Sequence, residues 1–455
     1  MTSRLQGLLS GDGMKARAIR GTALSVLGFG GGQFIRLASN LILTRILFPE
    51  AFGLMALVQV VLSGLEMFSD IAIGPSIVRS ERGDDPRFLK TAWTLQIIRG
   101  VILWIAACAL TLPVAQFYGQ DDLIAMIPVV ALSTIITGFG SIYVNTANRH
   151  LTLGKLTVAE LGSQVLGIAV MIALAWWLQT VWALVYGSLA IAFFKTALSH
   201  LLLPGPANRI GWDQPAFLEI FHFGKYIFIG TISGFFIQHG DRMILGKFIT
   251  LEALAVYTIA FTLASFPQIL GGQLVNRVLL PLYRTHPPAQ SAENRHKIGR
   301  VYWLTRGFLL VGALFFALAG EPLIAVLYDA RYQAAGALLV LLSLSILPRI
   351  LITGYDAILL AAGNSRSYTI LLVGTAIFKI LVLFVLVSKF GLVGAILTPV
   401  LVDILTYPAL IYFIRPYGGW YLKIDTGLLL VSALICALAL WNSPAAWDVL
   451  TALGG

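Results

Sequence analysis

The sequence predicts an all-α polytopic membrane protein: two parallel-repeat six-helix bundles, twelve transmembrane helices, around a central cavity. Three observations carry that reading. Hydrophobic residues make up 58% of the 455 positions and charged residues 11%, with a mean hydropathy of +0.86. Soluble domains average about 25% charged. Several apolar runs also exceed the roughly 20 residues that cross a bilayer. Finally, the chain repeats itself. Residues 39–55 read SNLILTRILFPEAFGLM and residues 241–257 read DRMILGKFITLEALAVY. At an offset of 202, Leu43 falls on Leu245, Arg45 on Lys247, Glu50 on Glu252 and Ala51 on Ala253. In each copy an apolar helix ends on a cation, a short connection carries one Glu, and a second apolar helix begins. That is a hairpin turning at a membrane surface, its cation snorkelling to the headgroups.

In chain order, residues 1–20 read as a cytoplasmic segment without a signal-peptide core or cleavage site, so the first span directs insertion. Spans at 21–47, 52–80, 88–114, 123–149, 151–178 and 182–203 make the N-terminal bundle, 21–203. Residues 204–215, with Pro204, Pro206 and Pro215, form a linker. Spans at 216–248, 252–284, 298–328, 333–362, 365–389 and 391–415 make the C-terminal bundle, 216–415. Arg99-Gly100 and Arg306-Gly307 open corresponding apolar runs in the two halves. Six spans per half is an even number, so the repeats are parallel, related by an axis along the membrane normal. In the tail, 416–455, a stretch at 426–441 is barely long enough to span, and residues 442–455 are too polar and too few for a fourteenth helix.

Lys and Arg set the orientation. With the N-terminus in the cytoplasm, 21 of the 31 fall inside, four outside (Arg45, Lys247, Arg331, Lys389) and six within spans. That asymmetry places the N-terminus inside. The net charge of +10 reflects topology and attraction to anionic lipid, not nucleic acid. Cys108 and Cys436 lie in apolar runs, which excludes an exposed disulfide, and no Asn-x-Ser/Thr acceptor occurs, in keeping with a bacterial membrane.

The six basic residues within spans are Arg36, Arg99, Arg242, Arg306, Arg349 and Lys379; the main acids are Glu66, Asp70, Glu160, Asp241, Asp356 and Asp403. Each costs at least about 2.5–3.5 kcal/mol at the bilayer centre unless it meets water or a partner. So many charges imply a hydrated interior, where parallel-repeat transporters hold their ligand. Depth arithmetic pairs Asp70 with Arg99 and Lys379 with Asp403. Glu66 lies one turn from Asp70, while Asp241-Arg242 and Arg349/Asp356 read as cavity-lining. Arg36 has no acid on its own helix or at matched depth on the next, which marks it for an anionic ligand. It aligns with Gln238, one turn before Arg242, on the equivalent helix of the other half. Arg36, Arg99, Arg242, Arg306 and Arg349 are therefore the candidate substrate-binding residues, and Glu66, Asp70, Asp241 and Asp356 the candidate ion-coupling or cavity charges. Gly28-Phe29-Gly30-Gly31-Gly32 lies inside a span with no preceding strand, so it reads as a bend or a close helix contact. Pro128, Pro267, Pro348 and Pro399 read as kinks. No metal-ligand spacing, activated nucleophile or nucleotide loop occurs, so no catalytic residue is expected.

LASNLILTRILFPEAFGLMALVQVVLSGLEMFSDIAIGPSIVRSERGDDP at 37–86 and the later DRMILGKFITLEALAVYTIA resemble the Wzx-type polysaccharide flippases. Within them, the likeness is to the exporters of colanic-acid-type exopolysaccharide synthesis, in the superfamily that also holds multidrug-and-toxin extruders and lipid II flippases. The resemblance covers most of 20–415 and leaves the tail after Lys423 unexplained. It implies a protein of the bacterial inner membrane that moves undecaprenyl-pyrophosphate-linked oligosaccharide outward by alternating access. It also implies drive by a proton, a sodium ion or the membrane potential, no other cofactor, and polysaccharide polymerase or export machinery as partners. The other reading is a cation-coupled multidrug or small-molecule antiporter of the same fold. Drug extruders often carry an essential acid on the first helix, where this chain has Arg36 and none. A saccharide-joining enzyme would need a catalytic outside loop, and these connections are too short.

Overall fold

The computed structural model describes residues 14–203, 205–206 and 208–451, the side chains of 14–27, 226 and 451 excepted. The segment expected at 1–20 thus lies largely outside the described residues. Everything described is helix or connection. The first half carries α1 (Met14–Ile46), α2 (Pro49–Phe68), α3 (Ile73–Arg79), α4 (Pro86–Tyr118), α5 (Asp122–Gly138), α6 (Tyr143–Arg149), α7 (Leu153–Leu178) and α8 (Trp182–Leu202). After α9 (Gln214–Phe248) come α10 (Leu251–Ala264), α11 (Phe266–Leu274), a π-turn at Val275–Leu279, α12 (Leu280–Thr285), α13 (Ala292–Leu327), α14 (Ala334–Ser345), α15 (Leu347–Ile352) and α16 (Ala357–Ala361). α17 (Ser365–Ile414), α18 (Leu422–Asn442) and α19 (Pro444–Thr451) close the chain.

Among the described residues, eight helices are long and apolar enough to cross a membrane, or eleven if each bent pair counts as one span. α17 turns at Gly391, which is non-helical at φ 53° and ψ −127°. Its 50 residues would measure about 75 Å if straight, more than twice a bilayer core, so the break falls where the sequence divides two spans. The repeated hairpin forms as its composition dictates. Arg45 and Lys247 close α1 and α9 in their last turns, where a cation suits the helix dipole, and Glu50 and Glu252 occupy the first turns of α2 and α10.

The second and fourth spans of each half are broken. Ser69–Ala72 separate α2 from α3, with Ala72 left-handed at φ 54°. α5 and α6 meet at a 61° bend, and α10 and the helix after Ser265 at 40°. Gly354, at φ 88°, sits in the gap between α15 and α16. Freed backbone groups at membrane depth are tolerated only against protein or water. Pro267 lies at the α10–α11 break; the α2–α3 and α5–α6 breaks contain no proline. The glycine run of α1 makes close helix contact: a Cβ on Gly28 would stand 2.6 Å from Thr157 Cγ2 of α7.

Two compact units divide the chain between Ile232 and Ser233, inside α9 rather than in the linker expected at 204–215. The reason lies in packing. Ala216 and Ile220, in the first turns of α9, belong to a buried cluster with Ile73, Ile77, Phe88 and Ile142 of the first unit. In the tail, α18 starts at Leu422 and spans 21 residues, enough to cross, and a short α19 comes after it.

Candidate functional site

The charges within each unit fall into three kinds: held by backbone, locked in pairs, or left without an opposite charge. In the first unit, Arg99 projects from α4 toward the broken end of α2. Its Nε donates to Ser69 Oγ at 3.0 Å and its Nη2 to the Glu66 carbonyl at 2.6 Å. Asp70 does not pair with it; Asp70 Oδ1 accepts from the Ala72 N–H at 2.8 Å and so caps the break. Depth arithmetic finds the right level but not the chain break, whose orphan carbonyl and N–H groups compete for both side chains. The Glu66 side chain is flanked by Arg99 and by Lys195 of α8, a cation the sequence does not single out. Arg36 is exposed, and its hydrogen bond among the described residues is a long one of 3.4 Å to Gly32 O on its own helix. No carboxylate lies within ion-pair distance of it among the described residues.

In the second unit, Asp241 is 4% exposed and Oδ2 accepts from Tyr257 OH at 2.7 Å. Its Oδ1, the Arg242 Nε and the His239 Nδ1 are buried without partners among the described residues. Three orphans within four residues of α9 are unusual, since most buried side-chain polar atoms are bonded. The Arg242 guanidinium lies 4.7 Å from the Phe261 ring centroid. Lys379 donates to the Ile237 carbonyl and not to Asp403. Asp403 pairs instead with Arg349 at 3.7 Å, a loose contact that leaves the Arg349 side chain 37% exposed. Asp356, like Asp70, holds a break: its Oδ1 accepts from the Ala357 N–H at 3.1 Å.

Arg306, expected to bind substrate, is closed to it. It is fully buried, with Nη1 2.9 Å from Asp425 Oδ1 and with Nε and Nη2 on the Thr353 carbonyl. The Tyr302 and Tyr355 rings each lie 4.1 Å from the guanidinium carbon. Asp425 also accepts from Tyr355 OH at 2.7 Å and Tyr407 OH at 2.6 Å. Arg306 thus anchors α18. The sequence hid this because the apolar stretch read at 426–441 begins one residue after Asp425; an acid opening an apolar helix was the available signal. Among the described residues, no group of three or more His, Cys, Asp or Glu could hold a metal ion.

A family model described as "Polysaccharide biosynthesis protein" matches residues 42–337. The chain is 22% identical over 317 residues to the teichuronic acid biosynthesis protein TuaB of Bacillus subtilis, covering 65% of this chain and 61% of that one. It is 19% identical to the lipopolysaccharide biosynthesis protein WzxC of Escherichia coli, over 53% of this chain and 49% of that one. It is 22% identical to the succinoglycan biosynthesis transport protein ExoT of Rhizobium meliloti, over 72% and 65%. The matched stretches therefore span about half to two thirds of these relatives' own length. Among solved structures, the lipid II flippase MurJ in an inward closed conformation superposes with a TM-score of 0.70, at 11% identity and 93% coverage of both chains. An inward-facing multidrug resistance MATE family transporter gives 0.62, at 14% identity, over 85% of this chain and 95% of that one.

Proposed function

We propose, for a chain that belongs to the polysaccharide biosynthesis protein family, that it flips undecaprenyl-pyrophosphate-linked oligosaccharide repeat units outward across the bacterial inner membrane. The family is one of membrane transporters and not of enzymes, and the fold is that of the MurJ and MATE transporters. The observation that carries the substrate class is Arg36, an exposed guanidinium on α1, which we read as the first span, with no carboxylate within ion-pair distance among the described residues. An Arg fork holds a pyrophosphate through two parallel hydrogen bonds, and an unpaired cation at that depth is costly without an anionic ligand. In the second unit, Arg242 and the loosely paired Arg349 offer the same chemistry, with Arg99 as a further cation of the first. Transport runs by alternating access with a cytoplasmic N-terminus, and the product feeds exopolysaccharide or lipopolysaccharide assembly, polymerase and export machinery included. On the resemblance of residues 37–86, the glycan we propose is of the colanic-acid type.

The Asp241 Oδ1 that lacks a donor, backed by Tyr257 on the other oxygen, is our candidate for a coupling proton or sodium ion. The same observation is what favours the second reading, a cation-coupled multidrug antiporter. Arg36→Ala and Arg242→Ala separate the two. Losing one charge-assisted contact to phosphate, about 1.5–3 kcal/mol, lowers export by roughly 10- to 100-fold. Lipid-linked repeat units then accumulate on the cytoplasmic side, and Lys restores only part of the export. Normal polymer yield from a stably expressed double variant removes the anion site, and drug sensitivity without a polymer defect selects the antiporter.

A further inference from the structure

A second cationic feature lies at the polar end of α13, made of residues not assigned to transport. The helix opens AENRHKIGRVYWL, polar for two turns and apolar beyond. Arg295, Gly299 and Trp303 recur at four-residue spacing, and His296, Arg300 and Leu304 make the adjoining row. Together with Tyr421 and Ile424 at the start of α18, these two rows line a cavity of about 620 Å³. Its composition is graded. Arg295, His296 and Arg300 stand at the end nearer the 286–291 connection and Trp303 and Leu304 at the end nearer the apolar run, with Ile424 against Gly299 between them.

The groove is pre-shaped. Arg295 Nη2 donates to the Trp420 carbonyl at 3.0 Å, and its guanidinium carbon lies 5.6 Å from the Tyr421 ring centroid. Tyr421 OH returns a bond to the Arg295 carbonyl at 3.0 Å. Gly299 admits the Tyr421 ring, which a Cβ there would meet at 3.1 Å. Arg300 and His296 have no carboxylate within ion-pair distance among the described residues, and Trp303 and Leu304 are each 59% exposed. Cations at a water boundary, continuous with open aromatic and aliphatic surface, match the two ends of one amphiphile.

We propose that this groove binds one anionic phospholipid, its phosphate on Arg295 and Arg300 and the upper acyl chain along Trp303, Leu304 and Ile424. A free phosphate satisfies the cations but leaves the apolar half of the groove wet, which is why the lipid is favoured. The site stands apart from the flippase reading, since none of its residues belongs to the proposed transport charges.

Trp303 reports occupancy directly. The purified full chain in neutral-lipid nanodiscs is titrated with bromine-labelled phosphatidylglycerol, bromine-labelled phosphatidylcholine, or inorganic phosphate. Tryptophan quenching in wild type minus that in Trp303→Phe isolates the groove. Each basic residue at an anionic surface is worth enough that phosphatidylglycerol should quench at about 5- to 30-fold lower mole fraction than phosphatidylcholine. Arg300→Gln should erase most of that preference, and because no protein carboxylate pairs with Arg300 its fold should stay intact. Arg295→Gln, which also loses the Trp420 contact, should act in the same direction. Equal quenching by both lipids overturns the proposal, as does an unchanged preference in Arg300→Gln. Displacement of phosphatidylglycerol by millimolar phosphate overturns it in favour of a free-anion site.

Discussion

Asp425→Asn tests whether a buried ion pair fastens α18 to the second unit. The wild-type carboxylate is 9% exposed and faces a guanidinium that is fully buried. It accepts from Arg306, Tyr355 and Tyr407 at 2.9, 2.7 and 2.6 Å. Removing one partner of a buried pair leaves the other charge uncompensated and costs about 3–5 kcal/mol. Asn keeps one acceptor oxygen, and the Tyr302 and Tyr355 rings still face the cation, so the cost should fall near 3 kcal/mol. Asp425→Ala, which loses all three hydrogen bonds, should reach about 5 kcal/mol or more. For a unit of this size that lowers the melting temperature in detergent by on the order of 10 °C. Because the loss is local to α18, Cys436 on that helix should also react faster with a membrane-permeant maleimide in a Cys108→Ser background. Arg306→Gln with Asp425→Asn should recover part of the loss, since no buried charge remains. A melting temperature unchanged by Asp425→Asn, together with strictly additive single and double variants, refutes the anchor.

Two further outcomes concern the first unit. Arg99→Gln should destabilise by about 2–3 kcal/mol, because Ser69 Oγ and the Glu66 carbonyl lose a charged donor, and Asp70→Asn should add to it without coupling; a double-mutant cycle with an interaction energy well above about 0.5 kcal/mol would restore the direct pair. At the 80–85 turn, outside the spans, Arg149 donates to the Ile77, Val78 and Ser80 carbonyls and to Asp84. Arg149→Ala should cost about 2–3 kcal/mol by denaturant titration, and Asp84→Asn, half exposed, under about 1 kcal/mol. The His150 hydrogen bond, reinforced by Arg149, holds the Asp84 carboxyl below its usual range. Its small contribution is therefore present above the unfolded carboxylate pKa of about 3.9 and fades as pH falls through the lower folded value. A contribution that instead grows on acidification contradicts this arrangement.

Much of what depends on hydropathy was legible in the sequence. Apolar length and the repeated Arg45/Lys247 and Glu50/Glu252 hairpin located the helices, because a bilayer admits few backbone solutions and a helix end needs a fixed set of residues, whereas the breaks inside the second and fourth spans of each half came only from the structure. That no carboxylate lies within ion-pair distance of Arg36 among the described residues was legible too, since α1 carries no acid and the nearest one in sequence, Glu50, opens the next helix. Partner choice among the other charges was decided only by tertiary structure. Asp70 and Asp356 turn to backbone N–H groups that exist only because their spans break, and Lys379 turns to a carbonyl on α9. Asp403 takes Arg349, and Arg306 takes an acid 119 residues away in a tail the repeat does not contain. Hydropathy fixes how deep a charge lies. Which of several groups at that depth it meets depends on helix rotation and on where backbone groups are freed, and both are set by packing between helices distant in the chain.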